Sequence, residues 1–181
     1  MIVVDTGVLV AAAALDDLHH DACAELVVRR RRELVVPAGV VVEVAWLLGR
    51  RAPAGVEEQF LDSIGRGELK VEDARTEDYV RMGDLLSTYR DLRLDAVDAM
   101  VVAVAERLEV ATVATVDRRD FSVIRPRHVA AFRLVPDLGA EAERQAWAPG
   151  GRAAARLDPP HLDLALRSPR ARHHRSPGLA P

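Results

Sequence analysis

The stretch "IVVDTG" (residues 2–7) decides how the rest of the chain is read. Ile2, Val3 and Val4 are β-branched and apolar, the composition of a strand buried on both faces. The run then delivers an ionisable Asp5, and Thr6 and Gly7 break the pattern. A lone buried charge costs several kcal/mol, so something must compensate the carboxylate. A second core strand, "ATVATVD" (111–117), also ends on an aspartate. Further strands are predicted at "LVVP" (34–37), "LKVED" (69–73) and "FRLVP" (132–136).

Helical patterns fill the gaps. They cover 15–33, with apolar or small Ala22, Cys23, Leu26 and Val27 on one face, the mostly apolar 38–51, then 55–68. In 76–91 Thr76 is read as the N-cap, with an apolar stripe at Val80, Met82, Leu85, Leu86 and Tyr89. Residues 95–109 are apolar nearly all round and predict a buried helix. Strands alternating with helices predict an α/β fold with a parallel sheet covered on both faces. From Asp137 onward the pattern dissolves into Pro, Gly, Arg and Ala. This divides the chain into a domain at 1–139 and a tail at 140–181, with a short helix at 140–147 and disorder expected from about 148.

Composition narrows the function classes. One cysteine excludes a disulfide framework and a cysteine-rich zinc site, and Cys23 is expected to be a buried small residue. No apolar run reaches the roughly 18 residues that span a bilayer. The start lacks the basic segment of a signal peptide, so a cytoplasmic protein is expected. Residues 1–139 carry 18 basic and 24 acidic side chains, a net −6, whereas 140–181 carry seven arginines and four acids, a net +3. An acidic domain is a poor pure nucleic-acid binder. It is compatible with an enzyme that holds cations with carboxylates.

In a parallel α/β sheet the C-terminal strand ends lie along one edge, where ligands bind. Asp5 and Asp117 therefore share a rim. Glu43 interrupts the apolar helix "VVVEVAWLL", and Asp95 and Asp98 share a face at the start of the buried helix. Each acid has a plainer reading. Asp95 can be an N-cap with Asp98 in the first turn, Asp117 can start a turn, and Glu43 can lie on an exposed strip. Asp5 is the hardest to explain away. Two carboxylates about 4 Å apart repel by roughly 4 kcal/mol at an effective dielectric of 20, and a divalent cation converts that repulsion into binding. All-oxygen donors favour Mg²⁺, with Mn²⁺ as the alternative. No His or Cys falls at zinc-ligand spacing, and the His19–His20 pair is read as solvated. A carboxylate-held Mg²⁺ serves phosphodiester or phosphomonoester chemistry. Arg118 and Arg119 follow the rim at once and can hold substrate phosphates or be ordinary surface arginines. Arg29–Arg32 are read as a solvated helix end, and Trp46 as core or interface rather than a base-stacking platform.

"MIVVDTGVLVA", "VPAGVVVEVAWLL", "LDAVDAMVVAVAERLEVATVATVDRRDF" and "FRLVP" together resemble a PIN domain, specifically a VapC-type toxin ribonuclease. The resemblance covers about 1–136. It implies a three-layer α/β/α sandwich around a mostly parallel sheet of four to five strands. Asp5, Glu43, Asp98 and Asp117 match the family's acidic quartet, with Asp5 and Asp98 as Mg²⁺ ligands and Asp117 completing the site directly or through water. Glu43 would position the metal or the attacking water. Thr6 and Thr115 match hydroxyls beside the first and last acid, and Asp95 and Asp120 match positions that are often acidic. Gly7 stands where Ser or Asn is also common and is read as harmless. The resemblance further implies RNA cleavage, inhibition of translation, a cognate antitoxin and toxin homodimers, with no membrane. Two other readings stand beside it: a catalytically silent PIN interaction module, and a haloacid-dehalogenase-like Mg²⁺ phosphatase. The second lacks its paired acid, because the triplet is Asp5-Thr6-Gly7.

Overall fold

The computed structural model describes residues 1–92 and 94–138. The chain alternates as the sequence predicts. Strand β1 (Ile2–Val4) is followed by α1 (Thr6–Ala13) and α2 (His20–Arg30), then β2 (Leu34–Pro37), α3 (Ala38–Arg51) and α4 (Val56–Gly65). Then come β3 (Lys70–Glu72), α5 (Thr76–Thr88), α6 (Ala96–Arg107), β4 (Thr112–Ala114), α7 (Arg118–Val123) and β5 (Arg133–Val135). The tail expected from residue 140, and the short helix within it, lie outside the described residues.

The five strands form one sheet in the order β3-β2-β1-β4-β5, every pair parallel. With helices on its faces this is the expected three-layer PIN-like sandwich. Ile2, Val3 and Val4 sit at its centre, almost wholly removed from water. Burying each such side chain contributes about 1.5–3 kcal/mol. The chain builds outward from β1 through β2 to β3, then returns to lay β4 on the other side of β1. Strand order therefore reverses at β1, and the crevice beyond the C-terminal ends of β1 and β4 is the switch point where such sheets bind ligands.

The all-round apolar helix is confirmed: Ala99 through Ala105 of α6 are all buried. It meets α3 at Gly39, where a Cβ would sit 2.9 Å from Met100 Sδ. A cluster of charges fastens the far end of α6. Arg107 donates to Asp78 Oδ2 at 2.9 Å, Glu72 Oε1 at 2.9 Å and the Asp73 carbonyl at 3.1 Å, joining β3, α5 and α6.

Several local expectations are corrected. Residues 6–13 form a helix rather than a break after β1, because Asp5 caps it and nearly every side chain in it is buried, which erases the 3.6-residue period. The short α7 is likewise a helix that no sequence period announces. The N-cap of α5 is Arg75, not Thr76: the Asp78 side chain reaches back to the Arg75 N–H at 2.9 Å, which puts Thr76 at the first helical position. Val80 leaves the expected stripe and is exposed, while Met82 and Leu85 are buried. Cys23 is buried, and its surroundings push the thiol up to about 12. Among the described residues no helix is long and apolar enough to cross a membrane.

Candidate active site

Asp5 leaves β1 with its N–H still in the sheet, donating to the Ala114 carbonyl at 2.8 Å. Its φ and ψ of −88° and 157° make it the N-cap of α1. Oδ1 accepts the Thr6 N–H at 2.6 Å, and Oδ2 accepts the Thr115 hydroxyl at 2.8 Å. These two bonds, with the positive end of α1, are what compensate the carboxylate at the end of a buried strand. The compensation is partial. Burial outweighs the bonds from Thr115 and Thr6 and, with added repulsion from Glu43 and Asp117, pushes Asp5 up to about 6.

Thr115 sits just past β4, wholly buried, and its hydroxyl works in both directions. It donates to Asp5 and accepts the Asp117 N–H at 2.9 Å. One hydroxyl thus fixes the first acid and the backbone of the last. Asp117 is exposed and caps α7, its Oδ1 accepting the Asp120 N–H at 3.4 Å. Between Thr115 and Asp117, Val116 presses on α1: a Cβ at Gly7 would lie 2.5 Å from Val116 Cγ2 and 3.7 Å from Asp5 Oδ2. Gly7 is therefore not neutral here. Its missing side chain is the space that Val116 fills.

Glu43 arrives from the middle of α3, half-buried, and its Oε2 accepts the Thr6 hydroxyl at 2.6 Å. Thr6 links Glu43 to the first turn of α1, and so to Asp5, as Thr115 links Asp117. Asp98 arrives in the first turn of α6. Its Oδ2 accepts the Asp95 N–H at 3.1 Å while Asp95 Oδ1 accepts the Val97 and Asp98 N–H groups at 2.8 and 3.0 Å. Asp95 is the N-cap that its plainer reading allows. Burial pushes Asp98 up to about 7 against the Asp95 backbone bond, with Asp5, Asp95 and Asp117 adding repulsion.

The four acids predicted from sequence thus come from β1, α3, α6 and the end of β4 to one rim, and Asp5 feels Glu43 and Asp117 while Asp98 feels Asp5 and Asp117. They do not close into a cage: among the described residues no three Asp, Glu, His or Cys side chains are grouped tightly enough to form a ready-made metal site. The donor set nevertheless fits a hard cation. It is all carboxylate and hydroxyl oxygen, two of its acids are raised by burial and mutual charge, and its openness suits Mg²⁺, which keeps several waters and takes one or two carboxylates.

Asp120 is buried in the first turn of α7. Arg118 Nη1 donates to the Pro136 carbonyl at 2.7 Å, tying α7 to the end of β5, and Arg119 is exposed. The His pair is half-buried rather than solvated, with His20 Nδ1 3.1 Å from the Ala11 carbonyl. Trp46 is not core: it is 53% exposed, with the Arg50 guanidinium carbon 4.5 Å from its ring centroid.

The PIN domain family model matches residues 2–125 of this chain. Ribonuclease VapC26 of Mycobacterium tuberculosis is 28% identical over 134 residues, spanning 74% of this chain and 99% of that protein. Among solved structures, the crystal structure of Mycobacterium tuberculosis VapC20, described as a sarcin-ricin loop cleaving toxin, superposes with a TM-score of 0.63. It is 21% identical and covers 72% of this chain and 99% of that one, a likeness of fold.

Proposed function

Because this chain belongs to the PIN domain family, we propose that it is an endoribonuclease of the VapC toxin type, hydrolysing an RNA phosphodiester with the help of Mg²⁺ held by carboxylates. Inhibition of translation is the consequence, and a cognate antitoxin and a second toxin copy are its protein partners. The observation that carries the reading is the meeting of Asp5, Glu43, Asp98 and Asp117 at the switch point of a parallel sheet, each raising or raised by another's charge. Mutual repulsion of this kind serves no structural purpose on its own and is relieved by a cation.

Asp5 and Asp98 would hold the metal directly and Asp117 directly or through water, with Mn²⁺ able to replace Mg²⁺. A bound Mg²⁺ supplies a water of lowered pKa and polarises the phosphoryl oxygen. The chain's own residues do the positioning. Thr115 orients Asp5 and seats the Asp117 backbone, and Thr6 orients Glu43 to place the attacking water or take its proton. Arg118, which also donates to the Pro136 carbonyl, and Arg119 follow Asp117 directly and would meet RNA phosphates.

The test is cleavage of total RNA by the purified chain with Mg²⁺, with Mn²⁺ and with EDTA, beside Asp5→Ala and Asp98→Asn. Cleavage should need the cation and both acids, and induction in cells should arrest growth only for the wild type. An Asp98→Asn chain as toxic as the wild type would favour a silent interaction module instead.

A further inference from the structure

The geometry points to a base-stacking subsite for unpaired RNA at Trp46 and Arg50 on α3. It rests on the ribonuclease reading and extends it to how the substrate is gripped. The difficulty for that substrate is electrostatic. Residues 1–139 carry 18 basic against 24 acidic side chains, a net −6, and the candidate site itself is a row of carboxylates. Phosphate contacts normally supply most nucleic-acid affinity. Here the domain's own charge weakens them, so a contact that does not depend on net charge adds affinity where phosphate contacts supply less. Stacking of a base on an aromatic ring is such a contact, and it tolerates any sequence because every base has a π-face.

Trp46 is placed to provide it. It follows Glu43 by three residues on α3, so the two side chains are neighbours on the helix surface, about 5–6 Å apart at Cβ. Glu43 is itself bonded to Thr6 beside Asp5, which puts the indole one turn from the acidic rim. Trp46 is 53% exposed, and Val42, one turn back on the same stripe, is 70% exposed. A helix in contact with the core exposes such a pair at a cost in unburied apolar surface, which a bound ligand would recover. The Arg50 guanidinium lies 4.5 Å from the ring centroid. It orients the indole, and its planar, always-charged group is both a second stacking surface and a phosphate partner.

The experiment uses the full chain with Asp98→Asn to silence cleavage and Trp147→Phe to leave Trp46 as the single tryptophan. A mixed-sequence 12-nucleotide single-stranded RNA is titrated in EDTA while indole fluorescence is followed. Saturable quenching is expected with the single strand and not with the same sequence as a duplex, whose bases are already stacked. With labelled RNA, Trp46→Ala should weaken binding between about fivefold and 150-fold, the range of one base–aromatic stack, and Trp46→Phe should restore part of it. In the cleavage-competent chain Trp46→Ala should raise KM by a similar factor with kcat little changed, and thermal melts should match the wild type. Unchanged RNA affinity in Trp46→Ala, or equal quenching by the duplex, overturns the subsite. So does a Trp46→Ala chain whose only change is its molar mass by light scattering, which would assign the indole to a protein interface. If the wild-type chain cuts no RNA but single strands still quench Trp46, the nuclease reading fails and the stacking subsite stands.

Discussion

Replacing Asp98 by Asn should stabilise the metal-free protein at pH 8. The carboxyl of Asp98 is pushed from 3.8 up to about 7 by burial and by the charges of Asp5, Asp95 and Asp117. A folded-state pKa above the unfolded one means the native state holds the proton more tightly. The stability this group contributes is fully present below about pH 3.8, and it is lost as the pH rises through about 7. A rise of that size corresponds to about 4 kcal/mol. Asp98 is only half-buried, so solvent screening brings the figure to about 2 kcal/mol. For a chain of this size that is a melting temperature higher by about 4–8 °C. Asn is the right replacement because its amide oxygen can still accept the Asp95 N–H, which leaves the cap of α6 in place. Melting curves of both chains in EDTA, from pH 4 to 9, should nearly coincide at pH 4, diverge as the pH rises from there, and reach their full separation above about 7. Adding Mg²⁺ at pH 8 should raise the wild type towards or past the variant and leave Asp98→Asn nearly unmoved. An Asp98→Asn chain that melts at or below the wild type at pH 8, or a gap that persists undiminished at pH 4, would refute the claim that burial and charge crowding together strain this carboxylate.

Other residues give sharper local tests. Thr115→Val removes the donor to Asp5 and the acceptor of the Asp117 N–H, so Asp5 should hold its proton to still higher pH; RNA cleavage should fall about 10–100-fold, with the acid limb of the pH–rate profile displaced upward. Gly7→Ala places a methyl 2.5 Å from Val116 Cγ2; it should cost about 1–3 kcal/mol by chemical denaturation, and adding Val116→Ala should return most of it. Arg107→Ala leaves the buried Asp78 without its guanidinium partner; a loss of about 3–5 kcal/mol is expected in urea unfolding, whereas a neutral result would mean that the join between β3, α5 and α6 does not depend on that arginine.

What is legible in the sequence is whatever depends on burial and on strand direction. β1 and β4 stand out because Ile2–Val4 and Thr112–Ala114 are inaccessible on both faces, and a strand of that kind needs no alternation to be found. Parallel strands then force Asp5 and Asp117 to one edge whatever the details of the loops. What stays hidden depends on neighbours distant in the chain. α1 has Val8 and Val10 in a run with no polar face, so its sequence suits a strand as well as a helix; the Asp5 cap and the surrounding core decide between them. The exposure of Trp46 is hidden for the opposite reason. "VVVEVAWLL" looks uniformly apolar, yet α3 turns Val40, Val44 and Leu48 inward and leaves Val42 and Trp46 outside, a division that the helical period allows but cannot orient.

The hydroxyl links show why acids alone could not define the site. Glu43 lies 37 residues from Thr6, and Thr115 lies 110 residues from Asp5. Neither pairing follows from local spacing: Thr115 reaches Asp5 because β4 lies against β1, and Glu43 reaches Thr6 because α3 packs against α1, which starts directly at Asp5. Each threonine directs its hydroxyl at a carboxylate, and charge-assisted bonds of this kind are stronger than neutral ones and hold the acceptor in one orientation. A rim of four unrestrained acids would relieve its repulsion by swinging the side chains into water. Thr6 and Thr115 oppose that escape for Glu43 and Asp5, and the Asp95 N–H opposes it for Asp98. The repulsion is therefore kept within the fold, which is the condition under which a divalent cation gains most by binding there.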